Sequence, residues 1–254
     1  MKTVSIGNKQ FSKIICGTNA FYARSHFSDA RDIEYKARFT DSYIENTINH
    51  CIDNGINTVE TSANERIWNI FEKIRKSRDL LTIGSTRIDE TSQINSHQAK
   101  LKFLINKKSD ICVIHSQFIE RPTSINEIKG LQKLIDKIRE ANLLVGVSAH
   151  KISIVELCEK KYDIDTYLFP LNSTGFVYPG YDGNESAHDR ISLVKNTDKP
   201  FILMKTLGAG RIPPAEGLQF ALENSKQTDI ITIGYGSIDE VTESIDIINK
   251  YEKV

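Results

Sequence analysis

The sequence lacks an excess of charge of either sign. Lysine plus arginine and aspartate plus glutamate each total 33 in 254 residues, which argues against nucleic acid or an anionic membrane as a partner. It also lacks any run near the ~18 apolar residues of a membrane span, and its first residues, M-K-T-V-S-I-G-N-K-Q, carry no apolar leader segment. We therefore expect a soluble, cytoplasmic protein whose partner is a small molecule.

Paired cysteines and metal-binding spacings are missing as well. The four cysteines lie far apart without a C-x-x-C pair, which favours free thiols in a reducing compartment over disulfides. Neither H-x-H nor H-E-x-x-H occurs, so no spacing supports a metal site and we assign no residue to one. The cysteines are Cys16, Cys51, Cys112 and Cys158.

What the sequence does contain is a regular alternation of short β-branched runs with amphipathic segments. The runs are nearly continuously apolar, which is typical of parallel strands covered on both faces. Eight strand–helix repeats predict a (β/α)8 TIM barrel in a single domain, residues 1–254. A doubly wound sheet is the alternative, but the first run ends in C-G-T-N-A-F rather than G-x-G-x-x-G. The eight runs are residues 13–17, 56–61, 80–86, 110–115, 143–148, 165–170, 200–205 and 229–234.

Helices and two additions complete this predicted fold. Thr40 is expected to cap a helix that ends at Asn54-Gly55, and residues 124–141 carry apolar side chains at helical spacing. Ser237 and Glu240 form a capping-box pattern before the last helix. The first dozen residues predict a β-hairpin that closes the barrel floor. Residues 21–39 are expected to form a long polar loop after the first barrel strand.

Chemically active side chains follow several of the predicted strands. In a (β/α)8 barrel the active site lies at the carboxyl ends of the strands, and Glu60, His115 and His150 stand at three of these ends. One such residue alone is more often structural, but several together indicate a site, because burying ionisable groups costs free energy. The other candidates at strand ends and in the first loop are Asn19, Tyr22, Arg24, His26, Glu65, Arg87, Asn172 and Lys205.

Two glycine-rich turns follow the last two predicted strands. They read L-G-A-G-R over residues 207–211 and G-Y-G-S-I-D-E over residues 234–240. Backbone amides at such turns and at a helix N-terminus can bind a phosphate group. The glycines could equally serve only to shape the turns, and both interpretations stay open here.

The order of these segments resembles the aldo-keto reductase superfamily along nearly the whole chain. The matching segments are C-G-T-N, D-N-G-I-N-T-V-E-T-S-A, I-G-S-T-R, D-I-C-V-I-H, G-V-S, K-T-L-G-A-G and G-Y-G-S-I-D-E-V-T-E-S-I. The resemblance implies a (β/α)8 barrel, an oxidoreductase activity and a NAD or NADP cofactor. Its implied cofactor contacts are Asn172, Lys205, Gly208, Gly210 and Ser237.

The reductase tetrad that the resemblance implies is largely replaced. Its aspartate, tyrosine and lysine become Glu60, Glu65 and Arg87, and only the histidine is kept, as His115. A glutamate is ionised at neutral pH unless it is strongly desolvated, so it does not simply replace a proton-donating tyrosine. The fifth predicted barrel strand ends in S-A-H, residues 148–150, instead of the family's S-N-F. The segment S-I-D-E, residues 237–240, offers no basic residue for a 2′-phosphate. This favours NAD over NADP.

Three functions remain open from the sequence. The first is a divergent oxidoreductase acting on a small polar, carbonyl-bearing substrate, with His115, Glu60, Arg87 and Tyr22 as catalytic residues. Substrate contacts would then come from His26, Arg24, Glu65, His150 and Asn19. The second is a lyase, isomerase or hydrolase that uses Glu60 and His115 as its acid–base pair, with or without a metal ion. The third is a binding protein on the same barrel.

Overall fold

Eight parallel strands close into a barrel in the computed structural model of the protein, which describes residues 1–88, 93–120 and 128–251. A two-stranded antiparallel hairpin, β1 (Thr3–Ile6) and β2 (Lys9–Ser12), precedes the barrel. The barrel strands are β3 (Ile14–Gly17), β4 (Thr58–Ser62), β5 (Leu81–Ser85), β6 (Ile111–Ile114), β7 (Leu144–Ser148), β8 (Thr166–Pro170), β9 (Phe201–Met204) and β10 (Ile230–Gly234). They pair in chain order, and β10 closes onto β3. The predicted (β/α)8 barrel with an N-terminal hairpin is confirmed.

Helices lie between the strands and cover the outside of the barrel. They are α1 (Asp29–Arg38), α2 (Asp41–Asp53), α3 (Glu65–Arg75), α4 (His97–Asn106), α5 (Ser116–Ile119), α6 (Leu131–Glu140), α7 (Ile152–Lys161), α8 (Ala187–Asn196), α9 (Pro214–Asn224) and α10 (Ile238–Tyr251). Among the described residues, no helix combines the length and the apolar character needed to cross a membrane. All four cysteines are free and buried.

The hairpin closes the barrel at the amino ends of the strands. Its alternating sequence points Val4 and Ile6 to one face, where they pack with Phe11 against side chains inside the barrel. Gly7, in the turn, has a φ of +56° and lies against Leu144 at the start of β7. The inner layer that the hairpin covers consists of Ile15, Ile83, Ile111, Val113, Leu168, Ile202 and Ile230.

The structure confirms the predicted start of one helix and corrects the predicted start of another. The Thr40 side chain accepts a hydrogen bond from the Tyr43 amide and caps α2, as predicted. The helix predicted over residues 124–141 is wrong at residues 128–130, because α6 begins only at Leu131, after Gly130 with a φ of +88°. Of the predicted range, residues 124–127 lie outside the described residues.

The predicted polar loop over residues 21–39 is wrong over half its length, because α1 lies there. Ser28 caps this helix by accepting a hydrogen bond from the Arg31 amide. Tyr35 is its buried side chain, and Arg38 donates to the Gly236 carbonyl at 2.7 Å. The helix has only two large apolar side chains, Tyr35 and the exposed Ile33, which are too few for the sequence pattern to indicate it.

Replacing Phe11 with alanine is expected to lower the free energy of unfolding by about 3–5 kcal/mol, because a cavity would open between the hairpin and the barrel. Urea denaturation followed by the fluorescence of Trp68, the single tryptophan of the chain, measures the change. Phe27→Ala is the matched control, since Phe27 is 48 % exposed, and should cost about 1 kcal/mol or less. Equal losses in the two variants would contradict a packed hairpin.

Candidate active site

A cavity of about 200 Å³ opens at the carboxyl ends of the barrel strands. We call it the polar cavity. Side chains from seven of the eight barrel strands, or from the loops that follow them, line it. They are Thr18, Asn19, Tyr22, His26, Glu60, Thr61, Ser62, Ser85, Arg87, His115, Gln117, Ser148, His150, Leu168, Tyr178, Met204 and Lys205.

The structure brings most of the predicted site residues together, but not all of them. Eight of them line the polar cavity: Asn19, Tyr22, His26, Glu60, Arg87, His115, His150 and Lys205. Glu65, at the position of the family's tyrosine, is the exposed first residue of α3 and lies outside the cavity lining. Asn172 is buried and ties two loops together by donating to the carbonyls of Phe176 and Lys205. Ser237 accepts from the Glu240 amide at the start of α10.

Glu60 lies in the middle of β4, between Gly17 of β3 and Ile83 of β5. Its neighbour Val59 packs outward against the helices, so the alternation along the strand directs Glu60 into the barrel. Burial raises the pKa of the Glu60 carboxyl to about 7, and the opposing effect of the Arg87 charge is smaller. At neutral pH this carboxyl is therefore divided between its protonated and ionised forms.

His115 is a neutral imidazole whose tautomer is set by the backbone. Its Nδ1 accepts a hydrogen bond from the Gln117 amide at 3.2 Å, which leaves the proton on Nε2. Burial, with help from the charge of Arg87, holds the pKa of His115 well below its usual value. The ring thus presents a hydrogen-bond donor, and it does not gain a second proton near neutral pH.

His150 has the opposite tautomer, because a carboxylate holds it. Its Nδ1 lies 3.0 Å from the Glu120 carboxylate, which can only accept, so Nδ1 carries the proton and Nε2 is an acceptor. Burial lowers the pKa of His150, and the hydrogen bond to Glu120 partly offsets this effect. The polar cavity therefore contains one imidazole that donates and one that accepts.

Two residues of the site had no sequence signal. Glu120 follows the four-residue helix α5, and no periodicity predicts that this short turn brings its carboxylate to His150. Tyr178 lies in an irregular loop, and its ring centre is 5.2 Å both from the His150 ring and from the Lys205 Nζ. The one sequence feature that could have suggested Glu120 is that an acidic residue follows β6 closely.

Arg87 and the residues of the first loop form the outer part of the cavity. The Arg87 guanidinium donates to the Asn19 side-chain oxygen at 3.0 Å. The Tyr22 hydroxyl lies 2.7 Å from the Thr61 hydroxyl and 3.3 Å from the Ser62 carbonyl. Burial, with the positive charges nearby, lowers the pKa of His26 to about 4, so this imidazole is neutral at physiological pH.

A second cavity of about 450 Å³, which we call the basic groove, adjoins the polar cavity. The two share Asn19, His26, Glu60, Met204 and Lys205. The groove runs along the loops that follow β9 and β10, and Arg24, Arg31, Arg211, Gly210 and Glu240 line it. Arg211 donates to the His26 carbonyl at 3.1 Å, so it joins the loop after β9 to the first loop. Among the described residues, no group of three or more His, Cys, Asp and Glu side chains has the arrangement of a metal site.

No protein-family model matches the sequence, and no curated protein is significantly similar to it. Solved structures, in contrast, share the fold. A protein from Pseudomonas aeruginosa assigned to the aldo-keto reductases has a TM-score of 0.68 at 12 % identity, covering 98 % of this chain and 95 % of its own. The holo form of an aldo-keto reductase from Bacillus halodurans has a TM-score of 0.65 at 12 % identity, covering 98 % and 91 %. An aldo-keto reductase from Klebsiella pneumoniae in complex with NADP and acetate has a TM-score of 0.63 at 14 % identity, covering 98 % and 90 %. At these identities the likeness shows an aldo-keto-reductase fold, and the activity must be argued from the site.

Glu60→Gln is expected to stabilise the protein at alkaline pH but not at acidic pH. A carboxyl with a raised pKa binds its proton more tightly in the folded chain than in the unfolded one, so stability falls as pH rises from 4.5 to about 7. Glutamine removes this penalty, worth about 3 kcal/mol above ~pH 8 and close to zero below ~pH 4.

Urea denaturation of the wild type and the variant at several pH values measures the difference in unfolding free energy. Glu156→Gln, on the exposed side of α7, is the control and should show no such pH-dependent gain. A difference between Glu60→Gln and wild type that is constant with pH would refute a raised pKa at Glu60.

Proposed function

We propose that the protein is a nicotinamide-dependent oxidoreductase that interconverts a small polar carbonyl compound and its alcohol. The observation that supports this proposal most directly is the junction of the two cavities. A small cavity with a proton-donating carboxyl and a neutral imidazole opens onto a basic groove along two glycine-rich loops. The basic groove suits a large anionic cofactor, and the polar cavity suits a small reactant.

The residues of the basic groove fit a dinucleotide. Arg24, Arg31 and Arg211 would hold its phosphates, and Gly208 and Gly210, with φ of +54° and +84°, allow the backbone to turn close to them. The hydroxyls of Thr206 and Thr232 are buried in the groove wall without a hydrogen-bond partner in the described part of the chain. A ligand with ribose hydroxyls would supply those partners. The bound cofactor would supply the hydride.

Glu60 and His115 would handle the substrate oxygen. The Nε2–H of His115 would bind the carbonyl oxygen, and its neutral state suits it to stabilise developing negative charge rather than to give up a proton. The Glu60 carboxyl, with a pKa of about 7, would donate a proton in the reductive direction and accept one in the oxidative direction. Desolvation thus gives a carboxyl the task that a tyrosine performs in the family, while Glu65 lies too far out to take part.

Glu60→Gln is expected to lower kcat about 10²–10⁴-fold, because the proton donor is lost. His115→Ala is expected to lower kcat about 10²–10³-fold, since one donor to the oxyanion is lost. Oxidation of NADH or NADPH by a panel of small aldehydes and hydroxyketones, followed by absorbance, measures both. Glu65→Gln should retain turnover. Loss of activity in Glu65→Gln together with full activity in Glu60→Gln would reverse the assignment of the acid.

NADH is expected to bind more tightly than NADPH, because the Glu240 carboxylate lines the groove next to the start of α10. Its charge would oppose a 2′-phosphate, and its Oε1 would accept from a ribose hydroxyl, while its Oε2 accepts from the Gly236 amide at 2.7 Å. Glu240→Gln should improve NADPH binding about 5–10-fold at low salt, the size of a screened charge–charge repulsion. Equilibrium fluorescence titration with each nucleotide tests this, and Asp239→Asn, an exposed neighbour outside the groove lining, is the control. Equal affinity for both nucleotides in the wild type would contradict the preference, and no binding of either would remove the proposed cofactor.

A further inference from the structure

Lys205 directly follows β9 and lines both cavities. It adopts a left-handed backbone conformation with a φ of +60°, and its side chain lines both the polar cavity and the basic groove. Its Nζ lies over the Tyr178 ring, 5.2 Å from the ring centre. Within residues 1–88, 93–120 and 128–251, no hydrogen bond or ion pair involves this Nζ. The amine therefore faces the cavity with an aromatic ring, and no carboxylate, as its immediate neighbour.

Two buried lysines of the chain, Lys13 and Lys100, are used differently. Lys13, at the opposite end of the barrel, donates to the carbonyls of Lys226 and Asp229 at 2.7 and 2.6 Å. Lys100 donates to the Ala63 carbonyl at 3.0 Å. These amines donate hydrogen bonds to backbone carbonyls, so their role is structural. Lys205 has no such task, although burying its amine costs free energy that a partner would normally offset.

The surroundings of Lys205 favour the uncharged amine. Burial lowers the pKa of Lys205 to about 7, the positive charges of Arg87 and Arg190 act in the same direction, and the Glu120 charge opposes them. An uncharged amine is nucleophilic, and desolvation beside other cations is the usual way in which a protein activates a lysine toward carbonyl carbon.

His150 is positioned to act on a compound held by Lys205. His150, Lys205 and Tyr178 all line the polar cavity, and the Tyr178 ring centre is 5.2 Å both from the His150 ring centre and from the Lys205 Nζ. The Nδ1 of His150 is engaged by Glu120, which leaves Nε2 free to accept a proton.

We propose that Lys205 condenses with small aldehydes or ketones in the polar cavity to form an imine, and that His150 then removes and returns a proton at the adjacent carbon. This is a second activity of the site, and it needs no nicotinamide. It rests on the proposed function only in taking carbonyl compounds as substrates.

The steps balance without an oxidant or a reductant. The amine lone pair attacks the carbonyl carbon, the C=O π electrons move to oxygen, and the proton that the nitrogen then loses passes to this oxygen to give a carbinolamine. The carbinolamine hydroxyl takes a second proton from solvent and leaves as water as the C–O bond breaks, and the nitrogen lone pair forms the protonated C=N bond. His150 Nε2 then takes a proton from the α-carbon, and the C–H electrons form a C=C bond as the C=N π pair returns to nitrogen. Reversal in D₂O places deuterium on the α-carbon, and hydrolysis releases the carbonyl compound.

The first test is reductive trapping with glycolaldehyde or acetone and sodium cyanoborohydride, without nicotinamide. Peptide mapping by mass spectrometry should find a saturated adduct on Lys205 at least about tenfold above that on any exposed lysine. Lys205→Met and Lys205→Arg should lose it, while Lys13→Arg should keep it. An adduct confined to exposed lysines in the wild-type protein would overturn the proposal, and this result does not depend on whether a variant folds.

The second test is α-proton exchange of acetone in D₂O, followed by proton NMR. The wild type should exchange faster than buffer, and Lys205→Met should not. His150→Gln should still form the trapped adduct but exchange about 10²-fold more slowly, because a general base is lost. Equal exchange in His150→Gln and wild type would overturn the role of His150.

These outcomes are distinguishable from those of the reductase proposal. NADH oxidation without a Lys205 adduct would leave the oxidoreductase standing and refute the imine. An adduct with α-exchange, but without NADH or NADPH oxidation by any of the tested carbonyl compounds, would support the imine and refute the oxidoreductase.

Discussion

Desolvation at the carboxyl ends of the barrel strands is the constraint on which the candidate site depends. Parallel strands bring a carboxylate, two imidazoles and an amine within one cavity of about 200 Å³. The surrounding side chains remove these groups from bulk water, so each group loses much of the hydration that favours its charged form. The pKa of Glu60 is raised to about 7 and that of Lys205 is lowered to about 7, and both shifts have burial as their largest cause. The fold thus creates acid–base groups with useful pKa values from ordinary side chains.

Hydrogen bonds at the cavity wall then fix which proton each imidazole carries. The Gln117 amide donates to His115 Nδ1, whereas the Glu120 carboxylate accepts from His150 Nδ1. Two chemically identical side chains therefore present opposite functions to the same space, a donor and an acceptor. This distinction depends on elements that follow the strands, the short helix α5 above all, and not on the strands themselves.

The sequence predicted the strands of this arrangement better than the segments that connect them. Buried strands impose long apolar runs on the sequence, so eight strands, the hairpin and the strand-end positions of Glu60, His115 and His150 could be predicted. The connections obey weaker rules. The helix α1 buries Tyr35 but little else and was expected to be a loop, and α6 begins at Leu131 where a Gly130 with positive φ intervenes. Tyr178 reaches the cavity, and Glu120 reaches His150, through irregular segments whose course no periodicity encodes.

The position of Glu65 illustrates the limit of reasoning by alignment to a motif. Counting along the chain assigns it to the place of a tyrosine, yet α3 begins at Glu65 itself, capped by the Asn64 side chain. Its side chain is consequently on the outer surface of the first helical turn, while Glu60, inside the strand, faces the reactants.

A cavity in which Glu60 and Lys205 can both be neutral at the same pH has a further consequence for its ligands. Holding these two groups as ions would require each to lose hydration without a direct partner, so the neutral pair costs less free energy. Arg87 keeps its charge at every accessible pH and donates to Asn19. The cavity as a whole is then weakly positive, with donors at His115 and Arg87 and an acceptor at His150. Such a space favours compounds that offer oxygen lone pairs and a hydroxyl group over apolar carbonyl compounds of equal size, because the ligand can then accept from His115 and Arg87 and donate to His150.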